Sequence, residues 1–297
     1  MADAIVVTYH SAGSVGACLD ALLGADLHVV VVDNAGTAEV VREKFPQVEL
    51  IANVANVGFS RAVNQGLARC KSDVVLLVNP DCVVPPATAT ALIAYLRQHP
   101  DVAIVGPRLR EADGSINVSA HPIATFGSTL TNRARRFFPV LTPLVARHSR
   151  FGSYDACLHA TGPTDVEMMI AACLAVRGAF LRDDLGGLDE GYFMYCEDME
   201  LCLQAWQRGK RVVYLPTVEA VHEGGGSSGD RSHVWPLHTR STLRFHAKHR
   251  PRTFQLMRLA LLGRAVLGLA DPRRHRRRAW TRVARVVLTV PKRTLLS

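Results

Sequence analysis

Short apolar runs alternate with helical patterns over the first hundred residues of the chain. The runs are rich in β-branched residues and nearly unbroken, which is typical of strands covered on both faces. The predicted strands are Ala4–Thr8, His28–Val32, Val48–Ile51, Val74–Val78 and Val102–Val105. Apolar residues at helical spacing predict the helices Ser14–Leu23, Thr37–Phe45, Ser60–Arg69 and Pro86–Gln98. This alternation predicts an α/β fold with a mostly parallel central sheet flanked by helices.

The pattern changes after residue 106. Residues 107–165 have weak periodicity and many Pro, Gly, Ser and Arg residues, which predicts an irregular, partly mobile segment. A strand-like pattern then resumes, and the later predicted elements are a strand region at 166–181, a helix at Glu197–Arg208, a strand at Val212–Leu215 and a flexible turn or lid at Gly224–Gly229. We expect one α/β domain over 1–232, in two parts of about 1–106 and 107–232, followed by a helical tail at 233–297.

Polar residues follow the predicted strands, at the carboxyl ends where parallel sheets bind ligands. Thr8 and Tyr9 follow the first strand, and Asp33 and Asn34 follow the second. A buried strand-end carboxylate needs a partner, which a pyrimidine N–H or a ribose hydroxyl could provide. Asp33 is equally suited to capping the next helix or closing a turn.

Two further positions suit a divalent cation. Asn79 and Asp81 flank Pro80 directly after a hydrophobic strand, and Mg²⁺ or Mn²⁺ takes one or two such oxygens and completes its shell with phosphates. The same tripeptide also makes a good β-turn. His222 ends an apolar segment before the glycine-rich loop and could bind a metal or a phosphate, or serve a purely structural role.

The remaining candidates lie at two helix starts. Asn56 and Gly58 precede a helix that carries Asn64, and a glycine permits close backbone approach, although an ordinary capped helix explains the segment equally well. Glu197 and Asp198 open another helix, where the helix dipole favours carboxylates. Helix-start stabilisation accounts for the two acids and leaves the aromatic residues before them unexplained.

Taken in order, these motifs closely resemble the family-2 inverting glycosyltransferases of GT-A fold, over about residues 3–245. Within that family the chain is most similar to bacterial rhamnosyltransferases of cell-surface polysaccharide synthesis, including cell-wall synthesis. The resemblance implies a metal-dependent enzyme that moves a sugar from a nucleotide-sugar to an acceptor hydroxyl. The motifs that carry it are Val7–Tyr9, Val32–Asn34, Asn56–Phe59 with Asn64, Asn79–Asp81, Phe193–Asp198 and His222.

The resemblance also implies a role for each candidate residue. Asp198 matches the catalytic base and Glu197 its neighbour, while Asp81 and His222 match the contacts of an Mg²⁺ or Mn²⁺ ion. Asn79 stands where the metal motif usually has its first aspartate. The positions that match the donor-binding residues are Thr8, Tyr9, Asp33, Asn34, Asn56, Gly58, Asn64 and Asn79.

The expected reaction transfers L-rhamnose from dTDP-rhamnose to a glycan or a polyprenyl-diphosphate-linked acceptor. The alternatives are the same reaction with a UDP-hexose, a nucleotidyltransferase, and a non-catalytic nucleotide-binding module. A nucleotidyltransferase would need a basic glycine-rich loop after the first strand, and Ser11–Ser14 has no basic residue.

The charge of the chain is strongly uneven. The formal net charge is +9, but residues 231–297 hold 17 Lys/Arg and one acidic residue, which leaves 18 basic and 25 acidic residues before them. Basic amphipathic helices suit an anionic membrane surface, and a helix packed on the body with a solvated charge run is the alternative. Nucleic acid is the least favoured partner because the tail lacks an aromatic stacking pattern.

Three further observations bear on location. The seven cysteines are scattered without a CxxC pair, which favours a reduced, cytosolic chain. Neither a signal peptide nor a spanning apolar stretch is evident. We therefore expect a cytoplasmic protein held peripherally at the inner face of the cytoplasmic membrane.

Overall fold

The computed structural model describes residues 1–127, 157, 159–223 and 231–296. Twelve strands lie in these ranges: β1 Asp3–Thr8, β2 His28–Asp33, β3 Glu49–Ala52, β4 Val74–Val78, β5 Cys82–Val83, β6 Val102–Arg110, β7 Ile116–Asn117, β8 Ala120–His121, β9 Thr164–Asp165, β10 Met168–Met169, β11 Cys173–Arg177 and β12 Arg211–His222. The described α-helices are α1 Val15–Leu23, α2 Ala38–Lys44, α3 Phe59–Leu67, α4 Pro86–Gln98, α5 Glu197–Gln207, α6 Trp235–His249, α7 Phe254–Gly268, α8 Arg274–Thr289 and α9 Lys292–Leu296.

Ten strands form one twisted sheet, in which the order is β3-β2-β1-β4-β11-β6-β12-β5, with β7 beside β6 and β9 beside β12. Strands β1 to β4 are parallel, whereas β11 runs antiparallel to both β4 and β6. Apolar side chains are buried on both faces of this sheet, in two separate clusters. The α/β class predicted from the alternating pattern is therefore confirmed, with one antiparallel strand inserted near the centre.

The largest departures from the predicted elements come after residue 101. Strand β6 continues to Arg110 and β12 runs from Arg211 to His222, so both are longer than their apolar cores. The region at 166–181 contains β10, β11 and the start of a short π-helical turn at Phe180–Asp184. Part of the expected irregular segment, and the whole Gly224–Gly229 turn, lie outside the described residues.

The C-terminal helices α6 to α9 pack around a separate core. This core is formed mainly by Leu243, Phe254, Met257, Leu261, Ala265, Trp280, Val283 and Val287. None of the helices in the described part of the chain is both long and apolar enough to cross a bilayer. All seven cysteines fall within the described residues and are buried free thiols.

Candidate active site

A cavity of about 670 Å³ opens at the carboxyl ends of β1, β2 and β4. Parallel strands bring their carboxyl ends to one edge of the sheet, so residues from distant parts of the chain meet there. Seven of the residues singled out from the sequence line this cavity: Tyr9, Asn34, Asn56, Gly58, Asn79, Asp81 and His222.

Strand pairing brings Asp81 and His222 together. The end of β12 runs antiparallel to β5 and places His222 opposite Cys82, the residue after Asp81. As a result, His222 Nε2 lies 3.3 Å from Asp81 Oδ1, with both side chains largely buried. The other ring nitrogen, Nδ1, is buried and has no hydrogen-bond partner among the described residues.

This pair fits a divalent cation that is shared with a substrate. Carboxylate oxygen and imidazole nitrogen are suitable ligands for Mn²⁺, and Mg²⁺ usually takes only one or two carboxylates together with substrate phosphates. Within the described residues, no group of three His, Cys, Asp or Glu side chains is placed to hold a metal. Two protein ligands leave most of a coordination shell to the phosphates of a bound donor.

The loop before α3 is built from amide hydrogen bonds. The Gly58 amide donates to Asn56 Oδ1 at 2.9 Å, and Asn34 Nδ2 donates to the Gly58 carbonyl at 3.3 Å. Gly58 has φ +88, and a Cβ there would lie 2.6 Å from the Phe193 carbonyl oxygen. Only glycine adopts this backbone and permits this approach without strain, so the loop closes against the Phe193 segment.

Three of the predicted donor-binding residues, Thr8, Asp33 and Asn64, are not among the residues that line the cavity. The buried Thr8 hydroxyl donates to Asp33 Oδ1 at 2.8 Å, and the Asp33 carboxylate also accepts the backbone amides of residues 35, 37 and 38. Asn64 bonds to the Leu188 backbone through both its amide nitrogen and its oxygen. Asp33 therefore caps the start of α2, and the hydrogen bonds of Asn64 hold the loop at 187–190 in place.

Asp198 lies at the start of α5, after a backbone turn that side chains rarely adopt. Tyr195 and Cys196 have φ of 71° and 67°, both in the left-handed region. Such residues cost about 1–3 kcal/mol each and persist only where the surrounding structure fixes them. Asp198 Oδ1 accepts the Met199 amide at 2.7 Å, so the turn and this bond together fix the direction of the carboxylate.

The Asp198 side chain is partly buried and is linked to the cavity wall through hydrogen bonds of the backbone. Burial raises the pKa of Asp198 above its ordinary value, and the backbone amides of Met199 and Ala171 partly offset this effect by hydrogen bonding. The next residue, Ala172, accepts the amide of Asn79, which lines the cavity. The backbone of Ala171 and Ala172 thus connects the Asp198 carboxylate to the wall of the cavity.

Glu197 faces a different space. It lines a second cavity of about 320 Å³ on the other side of α5, together with Asp189, Glu200 and Lys248. Burial, and then the negative charge of Asp198, raise the pKa of Glu197. Its Oε2 atom is buried without a hydrogen-bond partner among the described residues. The structure does not bring Glu197 into the cavity that contains Asp81.

The cavity also contains residues that were not predicted as site residues. His10, Ser11 and Ser14 line it from the loop after β1, and Phe193 and Glu223 line it from the opposite side. The hydroxyls of the two serines are suited to contacting phosphate oxygens. Both serines could have been predicted as site residues from the sequence, because they follow the end of β1, and the other polar candidates also follow strand ends.

The sequence of this chain is similar to those of known glycosyltransferases. The sequence profile described as "Glycosyl transferase family 2" matches residues 3–157. The N-acetylglucosaminyl-diphospho-decaprenol L-rhamnosyltransferase of Mycobacterium tuberculosis is 29% identical over 234 residues, which are 74% of this chain and 74% of that protein. The rhamnosyltransferase WbbL of Escherichia coli is 39% identical over 91 residues, 29% of this chain and 33% of that protein.

Solved structures show the same fold. The mannosyltransferase PcManGT of Pyrobaculum calidifontis, in complex with GDP-Man and Mn²⁺, has a TM-score of 0.55 at 20% identity and covers 96% of this chain and 76% of that chain. GalNAc-T7 with UDP, GalNAc and Mn²⁺ has a TM-score of 0.57 at 14% identity, over 94% of this chain and 54% of that chain. The GT-A architecture expected from the motifs is thereby confirmed.

Proposed function

Since the chain belongs to glycosyl transferase family 2, we propose that it is a metal-dependent inverting rhamnosyltransferase that acts on a lipid-linked acceptor. The observation that carries this proposal is the arrangement around the larger cavity. The pair of Asp81 and His222 suits the diphosphate end of a nucleotide-sugar, and the partly buried Asp198 is linked through the backbone of Ala171 and Ala172 to Asn79 in the cavity wall. A diphosphate site and a carboxylate base near it are what direct sugar transfer requires.

Asp198 would act as the general base. An acceptor hydroxyl is a weak nucleophile near neutral pH, and a positioned carboxylate that accepts its proton makes it a stronger one. A raised pKa makes the Asp198 carboxylate a stronger base than an exposed aspartate, which improves proton acceptance near neutral pH. Attack on the face opposite the leaving nucleotide inverts the configuration at the anomeric carbon, and no covalent enzyme intermediate forms.

The same cavity would bind and orient the donor. Asp81 and His222 would hold Mg²⁺ or Mn²⁺, which when bound supplies positive charge for the departing diphosphate. Tyr9 is half exposed at the cavity rim and offers an aromatic face, while the side chains of Asn34 and Asn56 shape the loop beside it. We assign these residues, with Gly58 and Asn79, to the donor site.

The identity of the substrates rests on the relatives. Both rhamnosyltransferases named above support rhamnose as the sugar, and the mycobacterial name describes an acceptor on a decaprenyl diphosphate. The structures with UDP or GDP-Man support nucleotide-sugars as a class, so a UDP-hexose remains the second donor candidate. We therefore propose dTDP-rhamnose as donor and a polyprenyl-diphosphate-linked N-acetylglucosamine as acceptor, in cell-surface polysaccharide synthesis at the inner face of the cytoplasmic membrane.

One experiment tests the donor and the base together. Nucleotide release is measured with dTDP-rhamnose, UDP-glucose and GDP-mannose, using a short-chain lipid-linked N-acetylglucosamine acceptor and Mn²⁺. Asp198→Asn should retain donor binding and lose at least about two orders of magnitude in turnover. The matched control is Asp20→Asn, because Asp20 is exposed on α1.

The outcomes separate the parts of the proposal. Acceptor-dependent release from dTDP-rhamnose alone supports the rhamnosyl donor, whereas release from UDP-glucose alone replaces it with the UDP-hexose alternative. Near-normal turnover of Asp198→Asn removes Asp198 as the base. Donor binding without any acceptor-dependent release supports a non-catalytic module instead.

A further inference from the structure

Helix α7 has one buried face and one exposed apolar face. Met257, Leu261 and Ala265 pack into the core of the C-terminal helices. On the opposite side Leu256, Leu259 and Leu267 are 51%, 64% and 79% exposed. We call the residues of this outward face the apolar stripe, and they are Leu256, Leu259, Gly263, Val266 and Leu267.

The apolar stripe contains no charged residue. The only charged side chains of α7 are Arg258 and Arg264, and both turn toward the neighbouring helix α8. Arg258 donates to the carbonyl oxygens of Val287 and Leu288, and the Arg264 guanidinium lies 5.0 Å from the centre of the Trp280 ring. The outer surface of α7 is therefore a continuous row of apolar side chains in contact with solvent.

The packed neighbour α8 has the opposite character. Its apolar residues Trp280, Val283 and Val287 are buried in the same core. Five exposed arginines lie on its outward face, and we call them the basic stripe: Arg274, Arg277, Arg278, Arg282 and Arg285. The apolar residues of α8 are thus mostly covered by packing, whereas the outward apolar residues of α7 are left open.

We propose that the apolar stripe and the basic stripe together form a docking surface for an anionic membrane. A helix of this kind lies in the plane of the interface, with its apolar face among the acyl chains and basic residues beside the headgroups. Asp271 is the only acidic residue between 231 and 297, so little in this region repels an anionic lipid surface. This inference rests on the proposed function, in which the acceptor is carried on a membrane lipid.

Charge and polarity favour this occupant over two others. A second copy of the chain would bring two basic stripes close together, and like charges disfavour that pairing. Nucleic acid would be attracted by the arginines, but an uncharged row of leucines offers nothing to a phosphate backbone. An anionic bilayer complements both stripes at once.

Helix α6 places this surface close to the active site. Ser241 Oγ of α6 donates to the Met194 carbonyl at 2.7 Å, and Met194 lines the larger cavity. The buried Arg244 of α6 also pairs with Asp189, 2.7 Å away, in the segment before α5. A protein docked through α7 and α8 would hold the active site near the bilayer that carries the acceptor.

Vesicle flotation with the full chain tests the proposal without any donor or transfer assay. The vesicles are phosphatidylcholine alone, or phosphatidylcholine with an equal part of phosphatidylglycerol. Two double variants are compared with the wild-type chain. The leucine variant carries Leu259→Gln and Leu267→Gln, and the arginine variant carries Arg277→Gln and Arg282→Gln. The matched control is Val54→Gln, because Val54 is a fully exposed apolar residue outside the C-terminal helices. All substitutions are at exposed positions, and thermal unfolding checks that each variant is folded.

The wild-type chain and the control should bind the anionic vesicles. The leucine variant should bind them roughly tenfold more weakly or worse, and the arginine variant should lose most of the preference for anionic over neutral vesicles. Wild-type-like binding by the leucine variant overturns the proposal. The proposal is also overturned if the wild-type chain forms a dimer but does not bind vesicles, and the leucine variant is monomeric. Binding of an oligonucleotide instead of vesicles overturns it as well. Because transfer to the short-chain lipid-linked acceptor is measured separately and without vesicles, failure here leaves the proposed reaction standing.

Discussion

Glu200 connects the helix that carries Asp198 to the C-terminal helices. Its buried carboxylate accepts hydrogen bonds from the Tyr192 hydroxyl at 3.0 Å and Gln204 at 2.8 Å, and pairs with Lys248 at 2.8 Å and His249 at 2.5 Å. Despite burial, these partners hold the pKa of Glu200 at about 2. Replacing Glu200 with glutamine should therefore destabilise the whole chain.

The size of the effect follows from the pKa. Lowering it from the ordinary 4.5 to about 2 stabilises the folded state by about 3 kcal/mol near neutral pH. Lys248 is one-third exposed, so solvent screening reduces this contribution. We therefore expect Glu200→Gln to lower the free energy of unfolding by about 2–3 kcal/mol. Because the folded pKa is depressed, this stabilisation is present above pH 4.5 and is lost as the pH falls toward 2. At about pH 3.5 the gap between wild type and variant should have narrowed by roughly 40%.

Urea unfolding at neutral pH and at about pH 3.5 measures both quantities. Glu39→Gln is the matched control, since Glu39 is an exposed glutamate in the first turn of α2. The control should change the free energy of unfolding little at either pH. If Glu200→Gln costs less than about 0.5 kcal/mol at neutral pH, or the same at both pH values, the charge of Glu200 in this ion-pair cluster does not stabilise the fold.

Three other predictions concern the active site. Asp81→Ala should weaken donor binding at least roughly tenfold in calorimetry with Mn²⁺ and little without it, and an equal loss in both would argue against a metal contact. Burial and the charge of Asp198 raise the pKa of Glu197 to about 8, so Glu197 is neutral where Asp198 titrates; Glu197→Gln should leave the acid limb of the kcat/KM profile in place, and a limb moved to lower pH would show that Glu197 is charged there. Gly58→Ala requires an alanine at φ +88 and should lower stability by about 1–3 kcal/mol in thermal unfolding, whereas Gly16→Ala, which meets no atom within 4 Å, should not.

The first half of the fold could be predicted well from the sequence. Helix α4 and strand β4 begin and end at the predicted residues, because continuous apolar strands and a proline at the first helical position are strong local signals. Strand β12 was underestimated, because its second half mixes exposed and buried residues and is held by pairing with β6 and β5. That pairing is also what places His222 beside Asp81, so their contact could not be predicted from local pattern.

The site residues show a similar division. Motif order identified the residues that line the cavity, but not which strand-end side chains face into it. Thr8 and Asp33 sit opposite each other in the paired strands β1 and β2 and satisfy one another, a contact that depends on strand register. In the tail, the expected helices are present. Which of their apolar faces are covered depends on how α6, α7 and α8 pack, and that is a tertiary property.

The Phe193 carbonyl joins the two halves of the proposed active site. It accepts the Phe59 amide at 2.7 Å and lies against Gly58, so the donor loop is fastened to the segment that leads through Tyr195 and Cys196 to Asp198. A donor that orders this loop therefore also restrains the turn that aims the base, and such coupling is reciprocal. Under the proposed function, we expect a bound nucleotide-sugar to raise the affinity for the acceptor, and a bound acceptor to raise the affinity for the donor by the same factor.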